Sequence, residues 1–287
     1  MPIEWSPTGP DRVIAGDNLA ALAGLPDGAF TLVYLDPPFT TGRSQARRST
    51  RSVRSASGSV TGFKGQRYER ILGDLISYDD RFDDYWTFLE PRLAEAWRLL
   101  ADDGTLYLHL DYREAHYAKV LLDALFGREC FLNEIIWAYD YGAKSKNRWP
   151  TKHDTILVYV KSATRYHFDS TAVDREPYMA PGLVTPEKVA RGKLPTDVWW
   201  HTIVSPTGKE KTGYPTQKPE GILRRIVQAS SREGDWVLDF FAGSGTTGVV
   251  AAALGRRFVL VDQSPEAIDV MRVCLATLPD VEFSRTT

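Results

Sequence analysis

Seven short apolar runs, rich in β-branched and aromatic residues, alternate with amphipathic helical patterns along this 287-residue chain. Such an alternation predicts an α/β fold with a largely parallel sheet. The predicted strands are 12–17, 30–36, 105–111, 134–140, 155–161, 236–241 and 257–262. The predicted helices are 85–101, 113–127, 219–231, 246–255 and 264–278, and Pro91 is expected to bend or break the first of them.

Two long segments lie outside this alternation, and loops of such length are usually functional or disordered. Residues 43–70 contain eight arginines and lysines against Glu69 alone, in a chain of formal net charge −2. That composition leaves open a solvated loop or an arm for a polyanion, and we expect residues 40–80 to be a flexible, basic loop insertion. Residues 162–213 are irregular and contain several prolines.

Composition excludes several classes of protein. Cys130 and Cys274 offer neither a disulfide framework nor zinc-ligand spacing, so no metal site is predicted. No apolar run approaches the roughly 18 residues of a membrane span, and the first residues lack the basic and apolar parts of a signal peptide. A cytoplasmic protein without a membrane partner is therefore expected.

Aspartates mark the ends of the predicted strands. In open α/β sheets ligands bind beyond the carboxyl ends of the strands. Asp111 and Asp140 are interpreted as simple strand terminators, whereas the other four are candidate ligand contacts. The six residues are Asp17, Asp36, Asp111, Asp140, Asp239 and Asp262.

A glycine-rich turn follows the strand pattern at 236–241. Gly243, Gly245 and Gly248, with Asp262 about 20 residues on, match the dinucleotide fingerprint of a nicotinamide-dependent dehydrogenase. Asp239 stands four residues before the first glycine, where it would repel a diphosphate at the helix N-terminus. S-adenosylmethionine, which carries an ammonium and a sulfonium, suits this turn better.

Three motifs in this order resemble those of the DNA amino-methyltransferases. They are "DPPF" at 36–39, "TGYPTQKPEGILRRIV" at 212–227 and "VLDFFAGSGTTGVVAAALGRRFVLVDQSPEAI" at 237–268. The tetrapeptide precedes the cofactor loop, which is similar to the permuted β group of that family. The resemblance implies one catalytic domain over 1–287 and a Rossmann-like α/β fold, with a mostly parallel seven-stranded sheet and helices on both faces. It also implies target recognition by residues 162–213.

The resemblance implies S-adenosyl-L-methionine as the cofactor, with Gln217 and Lys218 against its methionine end. Asp17 would then lie near the cofactor adenine, although it equally suits the N-cap of the helix that follows, and the two roles are compatible. The full set of predicted cofactor contacts is Asp17, Asn18, Asp36, Gln217, Lys218, Asp239, Phe241, Gly243, Gly245, Thr246, Thr247 and Asp262.

The tetrapeptide supplies what an exocyclic amine on a base requires. The lone pair of that amine is delocalised into the ring. A carboxylate that accepts a hydrogen bond from the amine N–H group makes the nitrogen more nucleophilic. Asp36 and the Pro37 carbonyl fit this role, with Pro38 fixing the turn. Phe39 offers a flat face for stacking, worth about 1–3 kcal/mol. Such a base must first be flipped out of the duplex.

The sequence therefore predicts methyl transfer to adenine N6 in double-stranded DNA. Cytosine N4 is the alternative, but members with that target more often have Ser where Asp36 stands. A catalytically silent, cofactor-binding DNA module is a remote alternative, and cytosine C5 chemistry lacks its Pro-Cys pair. A homodimer and a cognate restriction endonuclease stay open as partners. The predicted DNA contacts are Arg43, Arg47, Arg48, Arg51, Lys144, Lys146, Arg148 and Lys152.

Overall fold

The structure, a computed structural model, describes residues 5–38, 85–142, 144–205 and 207–286, and the backbone of three further strands at 45–54, 60–61 and 67–78. The chain divides into two compact units. The larger comprises Met1–Phe39 and Asp84–Thr287, and the smaller is Thr40–Asp83, which lies within the sequence of the larger.

Twelve strands lie in the described ranges. They are β1 (Asp11–Ala15), β2 (Phe30–Leu35), β3 (Gln45–Arg54), β4 (Val60–Thr61), β5 (Arg67–Tyr78), β6 (Leu100–Leu110), β7 (Phe131–Ala138), β8 (His153–Val160), β9 (Val198–Trp200), β10 (Trp236–Asp239), β11 (Arg257–Asp262) and β12 (Val281–Arg285).

Nine of these strands form the sheet of the larger unit, in the order β12-β1-β11-β10-β2-β6-β8-β7-β9. All neighbours are parallel except β8, which runs antiparallel to β6 and β7. The mostly parallel α/β prediction is confirmed, but the strand count of seven is wrong. The two missed strands, β9 and β12, form the edges of the sheet, where strands of three and five residues with exposed positions give no apolar run of strand length.

Seven α-helices lie in the described ranges: α1 (Asn18–Leu22), α2 (Tyr85–Leu99), α3 (Ala115–Phe126), α4 (Pro186–Arg191), α5 (Glu220–Ser230), α6 (Thr246–Ala253) and α7 (Pro265–Cys274). All five predicted helices are present. Helix α1 begins directly after Asp17, which is its N-cap as expected, whereas the short helix α4 had no separate prediction. Helix α2 continues through Pro91, so the break is wrong, while a bend at this residue stays a prediction.

Helices cover both faces of the large sheet. On one face, Ile226 of α5, Val250 of α6 and Met271 of α7 join Leu32 and Tyr34 of β2 in the main apolar core. Helices α1, α2 and α3 contact one another and β11, β6 and β8. Every residue of β2 is buried, as expected for a central strand covered on both sides. None of the helices in the described ranges is long and apolar enough to cross a bilayer.

The smaller unit contains an antiparallel sheet of order β3-β5-β4. The expectation of a loop over 40–80 is therefore wrong for the strand-forming residues, while the flexibility of this insertion stays a prediction. The charged and serine-rich composition hid a strand pattern in β5, whose sequence includes Ile71, Leu72, Leu75 and Ile76.

Candidate active site

The carboxyl ends of four neighbouring parallel strands bring four of the predicted aspartates to one edge of the sheet. Asp17 follows β1, Asp262 ends β11, Asp239 ends β10 and Asp36 follows β2. The parallel pairing of β10 with β2 is decisive, because it places residues about two hundred positions apart in the sequence on adjacent strands. This is the edge at which open α/β sheets bind ligands.

The glycine turn between β10 and α6 allows a ligand to lie close to its backbone. Gly243 and Gly245 have φ angles of 50° and 77°, in the left-handed region that glycine enters without steric cost. The Gly243 amide donates to Oδ2 of Asp262 at 2.8 Å, which ties the turn to the end of β11. A Cβ at Gly245 would lie 2.6 Å from Cγ of Met271, so the turn also packs tightly against α7.

Asp239 stabilises this turn through two hydrogen bonds. Its Oδ2 accepts from Thr247 Oγ1 at 2.6 Å and its Oδ1 accepts from the Phe241 amide at 3.0 Å. Burial, helped by the nearby charges of Asp36 and Asp262 and opposed by those two hydrogen bonds, raises the pKa of Asp239 to about 7. Burial also raises the pKa of Asp262. The edge therefore concentrates negative charge, which favours a cationic ligand.

Asp36 has one oxygen in use and one open. The Lys218 ammonium donates to Oδ2 of Asp36. Oδ1 is buried and has no hydrogen-bond partner among the described residues. An unpaired buried carboxylate oxygen costs free energy unless a ligand completes it, so Oδ1 marks a place for a donor such as an amine.

Lys218 and Gln217 lie in the segment before α5 but have different surroundings. Lys218 is paired with Asp36, a partner 182 residues away that sequence spacing could not reveal. Gln217 organises its own segment: its Oε1 accepts from the amide and hydroxyl of Thr212, and its Nε2 donates to the Glu210 carbonyl. Their contacts with a cofactor stay predictions.

The predicted cofactor-adenine end contains a buried arginine that sequence reasoning missed. Arg92 of α2 donates from Nε to Oδ1 of Asn18 at 2.7 Å and from Nη2 to Oδ2 of Asp17 at 3.1 Å. Asn18 in turn donates to the Phe240 carbonyl at 3.1 Å, and Asp17 Oδ1 caps α1 by accepting from the Ala20 amide. Arg92 thus links α1 and α2 to the strand end before the glycine turn.

The remaining predicted site residues are distributed as follows. Pro37 is buried and Pro38 partly buried, while Phe39 and Arg43 lie outside the described residues. Thr246 is buried and shares a 3.0 Å hydroxyl contact with Ser244, and the Phe241 ring centroid lies 6.0 Å from that of Phe88. Only the backbone is described for Arg47, Arg48 and Arg51 of β3.

The predicted DNA-binding loop between β7 and β8 leaves the sheet at this same carboxyl edge. Lys144, Lys146 and Arg148 are exposed, and Lys152 donates to the Asp140 carbonyl at 3.3 Å. No group of three or more metal-ligating side chains occurs within the described ranges.

Comparisons with known proteins identify the family of this chain. The family model for DNA methylases matches residues 30–272. DNA adenine methyltransferase YhdJ of Escherichia coli is 31% identical, with 89% of this chain and 79% of YhdJ covered. Type II methyltransferase M.HpaI of Haemophilus parainfluenzae is 28% identical, with coverage of 95% and 75%.

Solved structures share the fold at lower identity. PvuII DNA methyltransferase, cytosine-N4-specific, is 14% identical with a TM-score of 0.62, covering 97% of this chain and 96% of that one. A putative DNA modification methylase of Thermus thermophilus, solved with S-adenosyl-L-methionine, is 22% identical with a TM-score of 0.58 and coverage of 96% and 99%. The family match spans most of the chain and includes both Asp36 and the glycine turn. The chain therefore belongs to the DNA methylase family.

Proposed function

We propose that this protein transfers a methyl group from S-adenosylmethionine to the N6 amino group of an adenine flipped out of double-stranded DNA. The open Oδ1 of Asp36 is the observation that carries this proposal. A buried carboxylate oxygen with no hydrogen-bond partner in the described part of the chain is a ready acceptor for a hydrogen bond from an amine N–H group. Asp36 follows β2, and β2 is adjacent to β10, the strand that leads into the glycine turn.

The residues at the sheet edge fit S-adenosylmethionine. When bound, this cofactor supplies a methyl group activated by a positively charged sulfur. Asp239 and Asp262 place carboxylates around the turn, while Gly243 and Gly245 leave room for close backbone approach. Asp262 would hold the ribose and Asp17 would lie at the adenine. The same carboxylates would repel the diphosphate of a nicotinamide cofactor, which counts against a dehydrogenase.

Asp36 and its neighbours would prepare the amine. Oδ1 would accept a hydrogen bond from the amine N–H group. This bond withdraws the nitrogen lone pair from the ring and directs it out of the ring plane. Lys218 occupies Oδ2, so the carboxylate presents a single oxygen in a fixed direction. Pro37 and Pro38 restrict the backbone of this turn, which lowers the entropic cost of holding the acceptor in place.

Adenine is favoured over cytosine as the target base. Among the relatives, YhdJ is named a DNA adenine methyltransferase, and its similarity to this chain extends over most of both proteins. The cytosine-N4-specific PvuII enzyme is similar in fold, at 14% identity. M.HpaI and several other relatives are named type II methyltransferases, which keeps a cognate endonuclease among the predicted partners. A homodimer and a cytoplasmic location likewise stay predictions.

The proposal is tested by nucleoside analysis of methylated DNA. Unmethylated bacterial DNA is incubated with the protein and methyl-labelled S-adenosylmethionine, digested to nucleosides and separated by mass. We expect the label in N6-methyl-2′-deoxyadenosine. Label in N4-methyl-2′-deoxycytidine would replace adenine by cytosine as the target, and cofactor binding without any label would favour the silent module.

Cofactor affinity should rise as the pH is raised through about 7. The pKa of Asp239 is about 7 without a ligand, so its carboxyl is increasingly neutral below that pH. A cationic ligand favours the ionised form, and binding at lower pH must expel a proton. Calorimetric titration between pH 5.5 and 8 should show affinity falling by up to about tenfold per pH unit below 7. The raised pKa of Asp262 acts in the same direction.

Measuring the protons released on binding provides a control for the predicted pH dependence of cofactor affinity. At pH 6, titrations in two buffers of different ionisation enthalpy should report release of protons on binding, and Asp239→Asn should bind more weakly with less pH dependence. An affinity that is constant across this range in the wild type would contradict the assigned electrostatics.

DNA binding should depend on the exposed cations of the β7–β8 loop. Each phosphate contact contributes about −0.9 to the slope of log affinity against log salt. The variant Lys144→Gln/Arg148→Gln should therefore flatten that slope by about 1.8 if both side chains contact phosphates. The matched control is Arg128→Gln/Arg232→Gln, which removes two exposed cations next to the amino ends of β7 and β10. Equal slopes for the two variants would remove this loop from the interface.

A further inference from the structure

A chain of buried polar side chains crosses the sheet beside Asp36. The Tyr34 hydroxyl lies 2.8 Å from Nδ1 of His109, and Nε2 of His109 lies 3.2 Å from Oδ2 of Asp154. Tyr139 donates its hydroxyl to Oδ1 of Asp154 at 3.0 Å. His109 is fully buried and Asp154 is 9% exposed. None of these groups has a role in the proposed chemistry so far.

The position of this chain connects it to the catalytic turn. Tyr34, His109 and Asp154 come from β2, β6 and β8, which are consecutive neighbours in the sheet. Tyr34 precedes Asp36 by two residues, so the strand periodicity directs both toward the same face. That face carries α5, and Lys218 lies just before α5 begins.

Hydrogen bonding fixes the protons along the chain. Burial, together with the charges of Asp36, Asp239 and Asp154, raises the pKa of Tyr34, so its hydroxyl stays protonated and can donate to Nδ1 of His109. The Nε2 hydrogen of His109 is then directed at Asp154. Burial opposes ionisation of Asp154, but its hydrogen bonds to His109 and Tyr139 help to lower its pKa. Asp154 is therefore a buried carboxylate that the network favours in its ionised form.

The printed hydrogen bonds run from Asp154 through His109 to Tyr34, which lies two residues before Asp36. We propose that Asp154, held by Tyr139, is a positioning residue that acts through His109 and Tyr34 on the end of β2, so that the open oxygen of Asp36 keeps its direction toward the target amine. This inference rests on the proposed function, because it assigns the purpose of the network to the amine acceptor. Tyr34 links the network to β2 through its hydroxyl, 2.8 Å from Nδ1 of His109.

A simpler role, cross-linking the strands for stability, must be separated from positioning. The chain contains a matched pair for that purpose. Asp123 of α3 accepts from the Tyr159 hydroxyl at 2.6 Å and is paired with Lys119. Tyr159 of β8 pairs with Phe131, at the amino end of β7, and so lies toward the opposite edge of the sheet. Asp123 therefore reproduces the contact between a carboxylate and a tyrosine hydroxyl away from the site.

The experiment compares Asp154→Asn and Tyr34→Phe with their counterparts Asp123→Asn and Tyr159→Phe. Each variant is measured for thermal stability, cofactor affinity, DNA affinity and the single-turnover rate of methyl transfer from a preformed ternary complex. Asp154→Asn should lower that rate by about 10- to 100-fold, as expected for a misplaced reacting group, with both affinities within about threefold of wild type. Tyr34→Phe should lower it by a smaller factor, and the two counterparts should lose stability only.

The outcomes are separable. The positioning role would be overturned if folded Asp154→Asn and Tyr34→Phe transferred the methyl group at the wild-type rate. It would also be overturned if Asp123→Asn and Tyr159→Phe lost as much rate as they do. A loss of cofactor affinity that matches the loss of rate would also overturn it. If Asp154→Asn does not fold, Tyr34→Phe against Tyr159→Phe decides by the same criteria. The wild type is measured first: no transfer to DNA there refutes the proposed function itself, whereas normal transfer with unaffected variants refutes only the positioning role.

Discussion

Replacing Asp36 by Asn should lower the single-turnover rate of methyl transfer by about 10²- to 10⁴-fold, the range for removal of a group that acts on a proton in the transition state. The amide loses the negative charge that withdraws the amine lone pair from the ring. Cofactor affinity should stay within about threefold, because the glycine turn and its carboxylates are unchanged. Rapid-quench transfer of a labelled methyl group and calorimetric cofactor titration measure the two quantities separately.

Asp111 provides the control for this substitution. It follows β6 at the same edge of the sheet, but its oxygens accept from the Arg113 amide at 2.9 Å and from Arg113 Nε at 2.7 Å. Asp111→Asn should therefore leave the transfer rate within about threefold of wild type. If Asp36→Asn and Asp111→Asn lost similar factors in transfer rate, any change of charge at this edge would impair transfer. That result would contradict a specific role for Asp36.

Adding a methyl group at Gly245 should weaken cofactor binding by about 10- to 100-fold. Gly245 has a φ of 77°, which costs an alanine about 1–2 kcal/mol, and the new Cβ would lie 2.6 Å from Met271 Cγ. The turn must shift to relieve this contact, and the shift disturbs the Gly243 bond to Asp262. Equilibrium titration with S-adenosylmethionine measures the affinity.

Gly28 separates strain from steric contact. It has a φ of 66° and nothing within 4 Å of an added Cβ. Gly28→Ala should lose a similar free energy of unfolding from backbone strain, yet bind the cofactor as wild type does. If Gly245→Ala also retained wild-type affinity, the glycine turn would not be the cofactor site.

Much of the fold could be predicted from the sequence because its main strands are buried on both faces. Continuous apolar runs such as 30–36 and 257–262 are unambiguous, and the aspartates at their ends indicate the ligand edge. Strands β9 and β12 were not predicted because they are short, lie at the sheet edges and leave some of their side chains exposed. In the insertion, charge dominated the composition and concealed the strand pattern of β5.

The site was only partly predictable, for a different physical reason. A motif identifies residues that act near their own turn, such as Asp36 and Gly243. It does not reveal partners that tertiary structure supplies, which include Lys218 for Asp36, Arg92 for Asp17 and Asp154 for His109. Arg92 offered a weak signal, since it is a charged residue on the apolar side of a predicted helix. His109 in a strand pattern offered none beyond that of an ordinary core histidine.

The most direct measurement is methylation-sensitive long-read sequencing of DNA from cells that express the wild-type chain or the Asp36→Asn variant. It reports the modified atom and the surrounding sequence together. We predict N6-methyladenine at one recurring sequence in the wild type and at none in the variant. No modified base in the wild type, or the same pattern in both, would contradict a shared cleft in which Asp36 prepares the amine and the glycine turn holds the methyl donor.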